Sequence, residues 1–413
     1  MPFEQAAELS AKMRRFLRRV SCFVLVLALA LAVPAQGKDE KPVIHAGYRT
    51  LSSSLPSERL MLHMGVWYPT LRRPGTVKAG KWSFRAARNA AVYAGPWPVI
   101  ILSHDVTGDA WAHHDLAAAL ARRGFIVAAP THDHDNADDM RMLFSDRELP
   151  LRAVQLRAAL DMVLEHKQIG PQADASRVGY LGFGLTAPAG FLLAGASLRP
   201  DGWQSFAETK KNSPWLRPYV RERMDALVSA MRRRAEERRE KTAMMHRASD
   251  SRSRLFQRLE DSTKRTHQRQ LRQAGEKDIP VPPSVLPLLP PLSHDRALAD
   301  SRFKALALVS PGYSMLFSRE SLAEVRQPVF LLGAGRDSFN IPSEQAEILR
   351  DSLPQRPRYL LLPEADMPSF HAPGSASDAA SALGGVYAPL RPRSAHFALL
   401  DALAQFFGHS LSR

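Results

Sequence analysis

The chain holds one cysteine, Cys22, in 413 residues. That scarcity excludes a disulfide framework, a thiolate metal centre and a cysteine nucleophile from everything beyond the first few dozen positions. The chain also lacks an apolar stretch long enough to span a bilayer: the run from Val20 to Val33 is about fourteen residues where roughly 20 are needed. Lys12, Arg14, Arg15, Arg18 and Arg19 precede that run, and Val33-Pro34-Ala35 puts small residues behind it. This pattern predicts a secretory signal over residues 1–35, starting at Met1 or Met13 and cleaved near Ala35, with a periplasmic or extracellular mature protein that has no transmembrane segment. Cys22 leaves with the signal, so the remaining domain is expected to hold by core packing alone.

Acidic residues are in short supply as well, with 41 Asp and Glu against 56 Lys and Arg for a formal net charge of +15. Much of the excess is local, since residues 201–280 contain 20 Lys and Arg against 12 Asp and Glu. A basic surface of this kind suits anionic partners such as an envelope surface, and it also suits a solvated helical face with no partner. Nucleic acid is the less expected partner.

Outside that region, apolar runs alternate with helical periodicity. Leu62 to Tyr68, Pro98 to Leu102, Phe125 to Ala129, Val178 to Leu181, Phe303 to Val309, Pro328 to Leu332 and Arg358 to Leu362 read as strands. Most show no inside-outside alternation, as expected of strands buried on both faces of a parallel sheet. Ala112 to Arg123, Leu151 to His166, Ile341 to Leu353 and Ala395 to Leu411 supply helices between and after them. The rhythm predicts an α/β fold with a mostly parallel sheet covered by helices on both faces. It divides the chain into a core from 36 to 200, a basic helical and Pro-rich insertion from 201 to 299, and a second core segment from 300 to 413. Between Trp67-Tyr68-Pro69 and Pro98 only a loop rich in Arg, Gly and Ala is expected.

One stretch, Val178-Gly179-Tyr180-Leu181-Gly182-Phe183-Gly184-Leu185-Thr186-Ala187, joins a strand to a small-residue helix start through a glycine turn. That is the layout of the G-x-S-x-G nucleophile elbow, in which a sharp turn lifts a serine hydroxyl above the sheet. Gly184 stands where the serine would be.

The elbow layout, together with Trp67-Tyr68-Pro69, Pro98-Val99-Ile100-Ile101-Leu102-Ser103-His104 and Leu116 to Pro130, resembles the α/β hydrolases. More narrowly it resembles bacterial dienelactone hydrolases and their relatives, the platelet-activating-factor acetylhydrolases. Asp300 to Ala305, Ser310-Pro311-Gly312, Pro328 to Asp337 and His396 to Phe407 fit the same pattern. The resemblance implies an α/β-hydrolase fold, serine-esterase ancestry, an ester or lipid-like ligand, no cofactor, and an insertion placed where such proteins carry a lid. A lid over the active site and an excursion with no role in binding both stay open. In such enzymes the triad follows the order Ser, acid, His. The resemblance puts the acid at Asp337, after an apolar strand, and the histidine at Met367, whose thioether cannot accept a proton from a hydroxyl. His371, four residues on, is the substitute base to consider. The oxyanion loop reads His104-Asp105-Val106-Thr107-Gly108 where relatives have His-Gly-x-Gly-Gly, so a carboxylate at Asp105 would repel a developing oxyanion. The second donor, the N–H of Leu185, is independent of side-chain identity. These departures together predict a protein impaired as a serine esterase. The alternatives are an ester hydrolase using a metal or a water and histidine route, and an envelope-binding protein acting through its basic insertion.

Thr131-His132-Asp133-His134-Asp135-Asn136-Ala137-Asp138-Asp139 is the remaining cluster of chemistry-bearing residues. His132, Asp133, His134 and Asp135 could ligate a divalent ion, although relatives carry a polar Asp/His loop at the same point, and no metal is expected on balance.

Overall fold

The computed structural model describes Met13 and residues 42–55, 60–106, 108–248, 298–372 and 393–412. The expected signal, the Pro-rich return of the insertion and Thr107 lie outside the described residues. From Ile44 onward the chain forms one compact unit. It opens with β1 (His45–Leu55), β2 (Leu60–Thr70), β3 (Gly75–Ala79), β4 (Trp82–Arg88) and β5 (Trp97–Ser103). Then come α1 (His114–Arg122), β6 (Ile126–Thr131), α2 (Glu148–Glu165), β7 (Ala173–Phe183) and α3 (Ala189–Leu193). The insertion begins with α4 (Gly202–Thr209) and α5 (Pro218–Ala248). The core resumes with β8 (Phe303–Val309), β9 (Val329–Ala334), α6 (Ala346–Ser352), β10 (Arg358–Leu362) and α7 (Arg393–Ser410).

The ten strands make one sheet in the order β10-β9-β8-β7-β5-β6-β2-β1-β4-β3. From β10 to β6 all neighbours are parallel, and β2 then runs antiparallel to both β6 and β1. The absence of alternation in the central strands has a direct cause. Val99 and Ile101 of β5 enter one apolar cluster while Ile100 and Leu102 enter another, and in β7 Tyr180 and Leu181 divide the same way. One cluster draws in α2, α3 and the first part of the insertion, and the other draws in α1 and α7. The sheet is therefore covered on both faces, which forces apolar residues at every position of its middle strands.

The expected loop after Pro69 contains the β3–β4 hairpin. Trp82, Phe84 and Ala86 of β4 point inward while Ser83 and Arg85 point out, and Gly80 turns the hairpin at φ +55°, a left-handed value that glycine adopts without steric cost. The strand β1, paired along its length with β2, is also absent from the sequence reading.

Because β5, β7, β9 and β10 run in the same direction, the loops that follow them emerge at the same edge of the sheet. The four segments singled out from sequence, namely the Asp105 loop, the Gly184 turn, the Asp337 loop and the Met367 segment, follow those four strands in that order.

Candidate site at the carboxyl edge of the sheet

The elbow backbone is intact. Phe183 is extended at φ −116°, ψ 143°, Gly184 follows at φ +64°, and a short 3-10 turn over Gly184–Thr186 leads to α3. Any side chain at that φ is strained by about 1–2 kcal/mol; glycine is not. Gly182, expected in the turn, lies within β7. It is glycine for space, because the Tyr180 phenol occupies the volume its Cβ would need, and that phenol donates to the Ala187 carbonyl at 2.9 Å.

What fills the room above Gly184 is the Asp105 side chain. A Cβ on Gly184 would overlap the Asp105 carboxyl carbon and both its oxygens. Oδ1 of Asp105 accepts from the backbone N–H of Val106 at 2.8 Å and from that of Leu185 at 2.9 Å, the two donors that a serine esterase would aim at an acyl oxyanion. The sequence suggested a carboxylate that repels an oxyanion; the structure shows one seated in its place. Burial pushes the Asp105 carboxyl up to about 6, while its two N–H donors and the Arg152 cation pull the other way. No hydrogen bond reaches its Oδ2 among the described residues.

Asp337 is buried beside this group. A Cβ on Gly312 would lie 2.7 Å from both the Asn340 side-chain oxygen and Leu185, so the acid loop abuts the elbow. The Asp337 charge raises Asp105, and that of Asp366 raises Asp337. Its partners are not histidines. Ser310 donates its hydroxyl to Oδ2 at 2.7 Å, and the N–H groups of Phe339 and Asn340 donate to Oδ1, each at 2.9 Å. Ser310 holds this position at φ +47°, an uncommon conformation for a residue with a side chain. Burial nevertheless keeps the Asp337 carboxyl above its ordinary range.

Met367 begins a 3-10 turn, Met367–Phe370, pinned by a capping box between Asp366 and Ser369. Its side chain is buried in the apolar cluster of α1 and α7. His371 ends that turn, with its ring 5.1 Å from the ring of His113. His113 itself stacks on Phe183 at 3.6 Å and shares a 2.9 Å hydrogen bond between Nδ1 and the Phe370 carbonyl. That carbonyl can only accept, so Nδ1 carries the proton and Nε2 keeps its lone pair. Nε2 is buried without a hydrogen-bond partner among the described residues.

Behind Asp105 lies a buried polar network that sequence reasoning largely missed. Arg152 of α2 is 1% exposed and donates to Asp135 at 2.5 Å, to the Ser103 hydroxyl at 3.1 Å and to the His104 carbonyl at 2.5 Å. His132 bridges Ser103 and Gln155, each at 2.8 Å. Burial and the Arg152 charge hold both His104 and His132 well below the usual histidine range, so both rings are neutral. Glu148 accepts from the Tyr313 hydroxyl at 2.5 Å and the Phe144 N–H at 2.8 Å, and burial with Asp135 nearby raises its carboxyl strongly. The one available signal was that Glu148, Arg152 and Gln155 interrupt an otherwise apolar helix face.

These bonds divide the four metal candidates. His132 and Asp135 are consumed by the network, whereas His134 and Asp133 turn the other way and meet Asp139, with His134 Nδ1 at 2.8 Å from Asp139 and 3.7 Å from Asp133. His134 holds this position in the left-handed region, at φ +64°.

The start of the insertion covers this edge. Trp215 is fully buried, stacks on Phe339 at 4.7 Å, approaches Tyr313 at 5.3 Å and donates to the Phe339 carbonyl at 3.1 Å. Phe339 is two residues from Asp337. Ser213 donates to Glu344 at 2.5 Å, and Trp203 ties α4 to Asp225 of α5 at 2.7 Å. Among the described residues no helix is long and apolar enough to cross a membrane.

No protein-family model matches the sequence, and no curated protein is significantly similar to it. Among solved structures the chain is similar to a ferulic acid esterase from Streptomyces cinnamoneus, with 16% identity, a TM-score of 0.52 and 92% of each chain covered. The mixed, mostly parallel ten-stranded sheet, its two covered faces and that neighbour together give the chain the α/β-hydrolase fold.

Proposed function

We propose that this chain is an exported α/β-hydrolase-fold protein of esterase ancestry, related to dienelactone hydrolases and platelet-activating-factor acetylhydrolases, that has lost serine acyl transfer. The observation that carries the reading is the Asp105 carboxylate, which accepts from Val106 and Leu185 in the space a serine side chain would need. An acyl substrate requires those donors for its own oxygen, and losing one such donor costs about 10² to 10³ in turnover. Here both are taken, Gly184 stands where the nucleophile would be, and Met367 packs in the core instead of offering a base. Asp337 is spent on Ser310 and backbone N–H groups.

The test is reaction of the purified protein with a fluorophosphonate probe and with p-nitrophenyl acetate. The expected result is no covalent labelling and no ester turnover above buffer. Stoichiometric labelling of any serine overturns the proposal.

A further inference from the structure

The wing of the sheet remote from the site carries charge of one sign. From Leu60 to His104 the chain contains Arg72, Arg73, Lys78, Lys81, Arg85 and Arg88 and no aspartate or glutamate. All six cations are exposed. They sit on the β3–β4 hairpin and the bend before it, at one end of the sheet, with β1, β2 and β6 between the hairpin and β5.

The fold sorts these residues by face. Thr76 pairs with Arg85 and Lys78 with Ser83, and directly opposed residues of an antiparallel pair share a face. One face therefore holds Thr76, Lys78, Ser83 and Arg85, with its two cations on a diagonal of about 7–8 Å. Val77, Trp82 and Phe84 turn to the α1 side, where Asp109 accepts from the Trp82 indole at 2.8 Å. Arg85 donates to the Pro74 carbonyl at 2.7 Å, which fixes the guanidinium without neutralising it. Thr70 holds the bend by donating to the Ala91 carbonyl at 2.7 Å and accepting from the Arg72 N–H at 3.3 Å. Leu71, 49% exposed, is carried on that bend beside Arg72 and Arg73.

From this arrangement we propose that the hairpin and its bend form a docking face for an anionic lipid surface. Guarding an open edge against strand pairing needs a charge on the edge strand itself, which Lys78 supplies. Arg72, Arg73, Arg85 and Arg88 lie off β3 and call for another reason. A lipid surface supplies one, because each Lys or Arg held near anionic headgroups strengthens binding about fivefold. Leu71 adds apolar area for the boundary between headgroups and acyl chains. Single-stranded nucleic acid fits less well, since its bases stack on exposed aromatic rings and the rings of this hairpin are turned inward. The surface is separate from the basic insertion and from the site of the lost serine chemistry.

The experiment is sedimentation of the whole chain with phosphatidylcholine vesicles, with and without an equal part of phosphatidylglycerol, at low and at physiological salt. The expected result is binding that requires phosphatidylglycerol and weakens with salt. Arg72→Gln with Arg73→Gln and Arg85→Gln should weaken it about 100-fold, and Leu71→Ser should weaken it at both salt concentrations. Lys211→Gln with Arg232→Gln and Arg233→Gln removes the same charge from exposed positions of the insertion and should change binding by less than about threefold. Wild-type protein indifferent to phosphatidylglycerol overturns the proposal, as does equal loss in the two triple variants. Tighter binding to a single-stranded oligonucleotide than to the vesicles also overturns it, by assigning the face to nucleic acid. If a lowered urea midpoint shows that the first triple variant is damaged, Lys78→Gln with Arg88→Gln decides, with an expected loss of about 25-fold. None of these outcomes bears on fluorophosphonate labelling, which tests the serine chemistry alone.

Discussion

Restoring the missing hydroxyl should damage the protein before it helps it. In Gly184→Ser the new Cβ enters a left-handed position at φ +64°, a strain of about 1–2 kcal/mol, and it overlaps the Asp105 carboxyl. The carboxylate must therefore leave the Val106 and Leu185 N–H groups, and a hydrogen bond to a charged group contributes about 1.5–3 kcal/mol. Part of that loss is recovered because the displaced carboxylate is rehydrated and relieved of burial. A net destabilisation of about 3 kcal/mol is the result. Asp105→Gly alone should cost about 2 kcal/mol, by giving up the same two bonds to water. In the double variant the overlap is gone and the two bonds are lost only once, so its cost should fall below the sum of the single costs by about 2 kcal/mol. Urea unfolding of the four proteins at one pH measures this coupling directly. Costs that add to within about 0.5 kcal/mol, the range found for independent sites, would refute the claim that the two residues share one space.

Esterase repair should follow the same logic: Gly184→Ser with Met367→His should stay inactive on p-nitrophenyl acetate, and adding Asp105→Gly should give the first measurable turnover, read as initial rates above buffer. Asp105 also sets a pH dependence. Its folded carboxyl is raised to about 6 from an ordinary value near 3.9, so between these values the folded state binds more protons than the unfolded state and stability falls as pH rises. The urea midpoint of Asp105→Asn should therefore gain on wild type between pH 4.5 and 7.5, and a constant difference would contradict it. Asp135→Asn removes one partner of the buried Arg152 pair and should destabilise by about 3–5 kcal/mol, seen as a lower urea midpoint with unchanged slope. Trp215→Ala should cost about 3–5 kcal/mol as a buried aromatic truncation and should increase hydrogen exchange at the Phe339 and Asn340 amides that bind Asp337.

The central sheet was legible because burial on both faces writes itself as unbroken apolar runs, and β8 and β10 fall where Phe303 to Val309 and Arg358 to Leu362 placed them. The strands β1, β3 and β4 were not, since a sheet wing with one solvent face carries Ser, Arg and Lys at alternate positions and reads as loop. At the site, Gly184, Asp105 and Asp337 could be singled out because elbow and loop motifs are local in sequence. That Asp105 and Gly184 occupy one volume could not be read, because the Leu185 and Val106 amides that join them lie 79 positions apart and the contact is made by backbone groups common to every residue. Arg152 escaped for a related reason: its partners Ser103, His104 and Asp135 come from the end of β5 and the segments after β5 and β6, and only the folded sheet edge assembles them.

The anchoring of Trp215 bears on how the insertion can be cut. Ser213, Trp215, Met224, Leu227, Val228 and Met231 are all buried, so the insertion from Asp201 to Met231 behaves as a shutter bolted to the acid loop and not as a removable appendage. A shortened protein that keeps the core intact has its first safe junction after Met231, and one that begins its deletion at Asp201 would strip the roof from Phe339 and leave the Asp337 loop facing water.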